Sequence, residues 1–138
     1  MSGPGMTARW GLVLALGAFG LAACAAEVVR RPTRVTELTG QPGDTIEVLV
    51  DAPVTFDSGY QRVIGRGSVW TKIGRTPEGD VFKPVNRVFT IEGAHIHEAY
   101  LVLDGDRVVG FYLPVERAFS PAADGRAIQL SIQRRPKP

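Results

Sequence analysis

From Gly43 onward the apolar residues of this chain recur at every second position, and glycine or proline interrupts each run before it grows long. Such alternation sends side chains to opposite faces of an extended strand and does not fit the 3.6-residue repeat of an amphipathic helix. In residues 45–50, Ile46, Val48 and Val50 alternate with Thr45 and Glu47; in residues 127–133, Ile128, Leu130 and Ile132 alternate with Gln129, Ser131 and Gln133. Both segments predict strands with one wet face. Residues 69–73 and 81–85 flank Arg75-Thr76-Pro77-Glu78-Gly79-Asp80, where proline and glycine favour a turn, so a hairpin is expected. Pro84 marks an edge or a break, because it donates no ladder hydrogen bond.

The densest signal is Ala99-Tyr100-Leu101-Val102-Leu103, which leads into Asp104-Gly105, a pair favoured in type I′ hairpins, and out through Val108-Val109-Gly110-Phe111-Tyr112-Leu113. Apolar residues fall on both faces here, which predicts central strands covered on each side. Residues 87–92 add a strand before it, and only residues 115–119, between Pro114 and Pro121, offer a short helical candidate. Together these make roughly seven short antiparallel strands, hence an all-β sandwich or small barrel. Phe56, Tyr60, Trp70, Phe82, Phe89, Tyr100, Phe111, Tyr112 and Phe119 are spread through them and read as core and sheet-face packing.

The N-terminus follows a different rule. Residues 1–8 are small and polar, Arg9 is positive, and residues 10–21 carry no charge before Ala22, Ala23, Cys24, Ala25 and Ala26. That is the build of a helical secretory signal peptide. The uncharged stretch is marginal for a membrane span, which needs about 20 apolar residues, and Gly11, Gly17 and Gly20 weaken it further. Cys24 is the only cysteine, and Leu21-Ala22-Ala23-Cys24 resembles the lipobox of bacterial lipoproteins. The resemblance covers only these N-terminal residues. It implies cleavage before Cys24, a diacylglycerol on its sulfur, and a membrane anchor. With Ala25 rather than aspartate after the cysteine, it also implies the outer membrane, with the domain facing the periplasm. Ala23-Cys24-Ala25 fits an ordinary signal-peptidase site as well, which would release a soluble periplasmic protein.

On this reading residues 1–23 are the signal peptide, 24–40 an acylated tether, 41–134 one β domain and 135–138 a basic disordered tail. Removing 23 of 138 residues leaves 115, enough for a single hydrophobic core. Arg9 leaves with the signal, so the 16 basic side chains fall to 15 against 14 acidic ones. A nearly neutral chain gives no electrostatic ground for nucleic-acid binding. Once Cys24 is acylated, the domain must hold together without a disulfide.

Chemistry-bearing patterns are few. His95-Ile96-His97-Glu98 contains both histidines, and on a strand the i, i+2 spacing sets the two rings on one face, about 6–7 Å apart at the backbone. Such a pair suits two ligands of one zinc or copper ion. Glu92, Asp57 and Glu116 are the candidates for a third ligand. The alternative is that both rings cap the core through hydrogen bonds. Ser58 and Ser68 supply hydroxyls, but no nucleophile elbow surrounds them, and Gly65-Arg66-Gly67 lacks the third glycine and helix of a phosphate loop. The expectation is therefore a membrane-anchored lipoprotein with a non-catalytic binding or scaffolding role toward an envelope protein. The alternatives are a metal-binding lipoprotein using His95 and His97 and, third, an envelope hydrolase.

Overall fold

A computed structural model describes residues 3–5, 26–39 and 43–135; the signal-like stretch and Cys24 lie outside the described residues. In chain order the strands are β1 (Arg31–Pro32), β2 (Thr36–Glu37), β3 (Thr45–Val48), β4 (Ala52–Thr55), β5 (Gln61–Ile64), β6 (Val69–Thr76) and β7 (Gly79–Pro84). They continue with β8 (Thr90–Glu92), β9 (Ile96–Glu98), β10 (Tyr100–Asp104), β11 (Arg107–Leu113), β12 (Ala118–Pro121), β13 (Ile128–Gln129) and β14 (Ile132–Arg135). Among the described residues the only helical element is a single 3-10 turn at Ala123–Gly125. No helix among them is long and apolar enough to cross a membrane. The chain is all-β, and every strand pairing is antiparallel.

Strands β12, β11, β10, β7 and β6 are successive neighbours in the large sheet, which continues to β3 and β14. Residues 31–38 close it. At one end Arg31 lies opposite Phe119 and Pro32 opposite Ala118; at the other Thr36 lies opposite Arg75 and Glu37 opposite Gly74. Between and beyond these pairs, the Thr33 amide donates to the Arg117 carbonyl at 3.1 Å and the Leu38 amide to the Ile73 carbonyl at 3.2 Å. Backbone pairing therefore runs round a ring of strands, which satisfies edges that would otherwise stay open. Gly74 is required at this seam, since a Cβ there would stand 2.6 Å from the Thr36 carbonyl oxygen.

Side chains tie the same seam. Thr33 Oγ1 donates to Glu78 Oε2 at 3.0 Å, and the Arg31 guanidinium reaches Glu78 Oε1 at 3.4 Å while lying over the Phe119 ring. Burial pushes the Glu78 carboxyl up, but hydrogen bonds from Thr76, its own amide and Thr33, with the charge of Arg31, outweigh that and hold it below the usual range.

The sheet has two apolar faces, as the double-sided patterning of residues 99–113 predicts. Val81, Tyr100, Val102, Tyr112 and Phe119 cluster with Val35, Ile73 and Val109. Because Val35 comes from the closing segment, this cluster fills the ring. The opposite face carries the larger core, where Phe82, Leu101, Leu103, Phe111 and Leu113 meet Ile46, Val48 and Trp70. The β4–β5 and β8–β9 ribbons cover that face through Val54, Phe56, Ile64, Phe89 and Ile91. Its aromatic centre is continuous: Phe111 sits 5.1 Å from Phe56 and 5.8 Å from Phe89, and Trp70 meets Phe89 edge-on at 5.4 Å. The buried Trp70 Nε1 donates to Ser68 Oγ at 3.0 Å, so the indole leaves no unpaired donor.

Several expectations are corrected. Among the described residues the strands number fourteen rather than about seven, because short ones such as β1, β2 and β13 carry too few residues to show a period. Residues 115–119 form no helix; a turn with Arg117 at φ 51° leads into β12. The hairpin between β10 and β11 turns on Gly105-Asp106, since Asp104 pairs with Arg107, and only Gly105 has positive φ, the signature of type II′ rather than I′. The segment 127–133 keeps its alternation but changes partners midway, β13 on β11 and β14 on β3. Within the stretch expected as a tether, Val28 is buried and residues 31–32 and 36–37 pair with the sheet. Arg135, assigned to the basic tail, lies with Arg134 in β14, the two bonded to Glu47 and Asp106 respectively; the rest of the tail lies outside the described residues.

Phe111 is fully buried at the crossing of the two ribbons. Phe111→Ala is expected to lower the unfolding free energy by about 3–5 kcal/mol, read from urea denaturation; a loss below about 1 kcal/mol would mean the ribbons collapse onto the gap.

Candidate functional site

Both histidines lie at the end of the β8–β9 ribbon, and they meet the first described residues of the folded chain. Gly93 makes the approach possible: a Cβ there would stand 2.7 Å from the Ala26 carbonyl oxygen and 2.8 Å from the Val28 amide nitrogen. The Ala94 amide donates to the Ala26 carbonyl at 3.1 Å, and Val28 is buried. These contacts aim the Glu27 carboxylate at the ribbon.

Glu27 bridges the two rings. Its Oε2 lies 2.8 Å from His95 Nδ1 and its Oε1 3.1 Å from His97 Nε2. On the other side of the buried His97 ring, Nδ1 lies 2.5 Å from Glu116 Oε1. Each nitrogen of the His97 ring thus faces a carboxylate oxygen. Hydrogen bonding to His95, to the Val28 amide and to His97, in that order, lowers the Glu27 carboxyl from 4.5 to about 2. The Arg30 guanidinium lies 3.4 Å from the same carboxylate. Glu116 Oε2 is buried without a partner, so only its other oxygen is used.

The i, i+2 expectation thus holds in one respect: His95 and His97 address one group, with ring centroids 6.4 Å apart. Their exposures differ sharply, since His97 is 5 % exposed and the His95 side chain 76 %. Of the three residues named as third ligands, only Glu116 contacts a histidine. The carbonyl of Glu92 accepts from Ser58 Oγ, and Asp57 accepts from the Asp124 amide. Among the described residues no group of three or more histidine, cysteine or acidic side chains has the arrangement to hold a metal ion. His95 Nδ1 and both nitrogens of His97 face carboxylates; the buried His97 fits the hydrogen-bonded alternative, whereas the exposed His95 caps no core. Ser58 and Ser68 donate to backbone carbonyls of Glu92 and Gly65, so no imidazole is paired with a hydroxyl among the described residues. Cys24 lies outside them.

A second feature is concave. Val35, Leu38, Thr71, Lys72, Tyr100 and Tyr112 line a groove of about 490 Å³ at one mouth of the ring. Burial first, then the nearby Glu98 carboxylate, pushes the Tyr100 hydroxyl above its usual range and keeps it neutral. Sequence reading missed this groove because part of its wall, Val35, Glu37 and Leu38, is the closing segment, and it missed Glu27 because nothing local ties that residue to positions 95–97. No family model, no curated protein and no solved structure matches this chain.

Two outcomes are expected. A carboxyl whose folded value lies below its unfolded one stabilises the fold above the unfolded value and loses that contribution as pH falls through the folded one. The Glu27 contact should therefore be lost between about pH 4.5 and about 2. Hydrogen exchange at residues 26–30 should quicken across that interval, and Glu27→Gln should remove the step. His97→Ala leaves Glu116 without its donor and should cost about 1–3 kcal/mol in denaturant unfolding.

Proposed function

We propose that this chain is a bacterial envelope lipoprotein, anchored through acylated Cys24, whose β domain binds or scaffolds an envelope partner without catalysis. The observation that carries this reading is contiguity. Ala26, two positions after the lipobox cysteine, already accepts a hydrogen bond from the Ala94 amide of the domain, which leaves little chain between the proposed anchor and the fold. Two acyl chains hold a protein on a membrane where one does so only marginally.

The absence of catalysis is supported by how the reactive side chains are used. Both nitrogens of His97 face carboxylates that clamp the N-terminal segment, and the hydroxyls of Ser58 and Ser68 are committed to main-chain carbonyls. For binding, the groove at the ring mouth joins aliphatic walls to two tyrosines and Lys72, the mix of apolar surface and few polar anchors that small binding sites share. The outer membrane, facing the periplasm, is the proposed location.

The test is mass and partition. The purified protein should begin at Cys24 and carry the mass of at least two acyl chains, and Cys24→Ser should shift it from the membrane to the soluble fraction. Affinity capture from detergent-solubilised envelopes should then recover a partner with the wild type. An unmodified thiol at Cys24 in the mature protein would refute the anchor.

A further inference from the structure

We infer that the domain does not stand off the membrane but lies on it, with the surface around Val29, Ile96 and Val115 against the lipid headgroups. The inference rests on the lipoprotein reading of Cys24 and adds the face that meets the bilayer.

Chain length sets the geometry. Glu27 is three residues from Cys24, and three extended residues span at most about 10–11 Å. Glu27 is not free to lengthen that leash, because its carboxylate is bound by His95 and His97 and Val28 behind it is buried. The headgroup layer on each side of a bilayer is about 5–7 Å deep. A lipid on Cys24 therefore leaves no room for a second layer of protein between the clamp and the membrane.

The surface at that point is built accordingly. Val115 is 77 % exposed, Ile96 69 % and Val29 51 %, the two highest values among the large apolar residues falling at this site. All three lie within two residues of the clamp: Ile96 between the histidines, Val115 beside Glu116, Val29 two residues beyond Glu27. Two acids at this site are already bonded, Glu27 to His95, His97 and Arg30, and Glu116 to His97, while Glu92, cross-strand from Ile96, has no ion pair among the described residues. Arg117, exposed in the adjoining turn, has no ion-pair partner among the described residues. Exposed aliphatic tips and an uncommitted arginine suit an interface of acyl boundary and headgroups. A protein partner on this face would have to share the same narrow space with the lipid anchor.

The experiment uses the full acylated chain, in which Cys24 offers no thiol. Ile96→Cys and Val115→Cys each add one labelling site, and Gln129→Cys serves as the distal control. Gln129 pairs with Arg107 at the far end of β11, about 20 Å along the strand from the turn that holds Val115. Each variant is labelled with an environment-sensitive fluorophore and reconstituted into phosphatidylethanolamine–phosphatidylglycerol vesicles containing spin-labelled lipid. Labels at positions 96 and 115 should shift to the blue and lose most of their emission to the quencher, while the label at 129 should do neither. Equal behaviour at all three positions, with the acyl mass present on Cys24, would overturn this inference and leave the anchor standing. Labelling of the wild-type protein itself would show a free Cys24 thiol and remove the anchor. Shielding of positions 96 and 115 in native envelopes but not in vesicles would assign the face to a protein and also overturn it.

Discussion

The ring depends on one short stretch of backbone. Without residues 31–38, β12 and β6 would each present a row of unpaired amides and carbonyls, and the cluster around Tyr100, Val102 and Tyr112 would lose one wall. Open edges of this kind recruit other chains, and covering them is a recurrent need of antiparallel sheets. Here the cover comes from residues 31–38, far in sequence from both strands that they close. Thr33, Arg31 and Glu78 then fix it with side-chain bonds that no strand register alone would supply.

A second lock follows a few residues earlier. The His97 ring is buried with a carboxylate at each nitrogen, so neither polar atom is left without a partner. Glu27 supplies one of those carboxylates from the N-terminal segment and Glu116 the other from the turn before β12. Three elements distant in sequence thus converge on one ring. The β8–β9 ribbon is thereby held to the barrel by polar contacts at its tip and by Phe89 and Ile91 along its length.

How far this was legible in the sequence depends on the length of the signal. The strands of five or more residues, β6, β7, β10 and β11, show their alternation or their double-sided apolar runs, and the hairpins at Pro77-Glu78 and Gly105-Asp106 are punctuated by the expected residues. Pro84 ends β7, as a residue without an amide proton must end or border a ladder. The strands of two residues were invisible, since two positions carry no period. Residues 26–39 misled for a physical reason: with Arg30, Arg31, Pro32 and Arg34 they look solvated, yet their ordering comes from backbone pairing and buried Val28 rather than from an apolar stripe. The pairing of the histidines was legible from their spacing. Glu27, some seventy positions upstream, was not, because only the closed ring brings it there.

The seam also sets an order of events. Residues 31–38 leave the ribosome early, whereas the partner that closes one side of them, Phe119 on β12, comes almost last. Closing so long a loop carries the largest entropic cost of any contact in the ring, and that cost is recovered only when both flanking strands are present. The first strand of the barrel is thus a waiting strand, exposed through most of synthesis, and its arginines and Pro32 keep it soluble and unattractive to other edges until its place is ready.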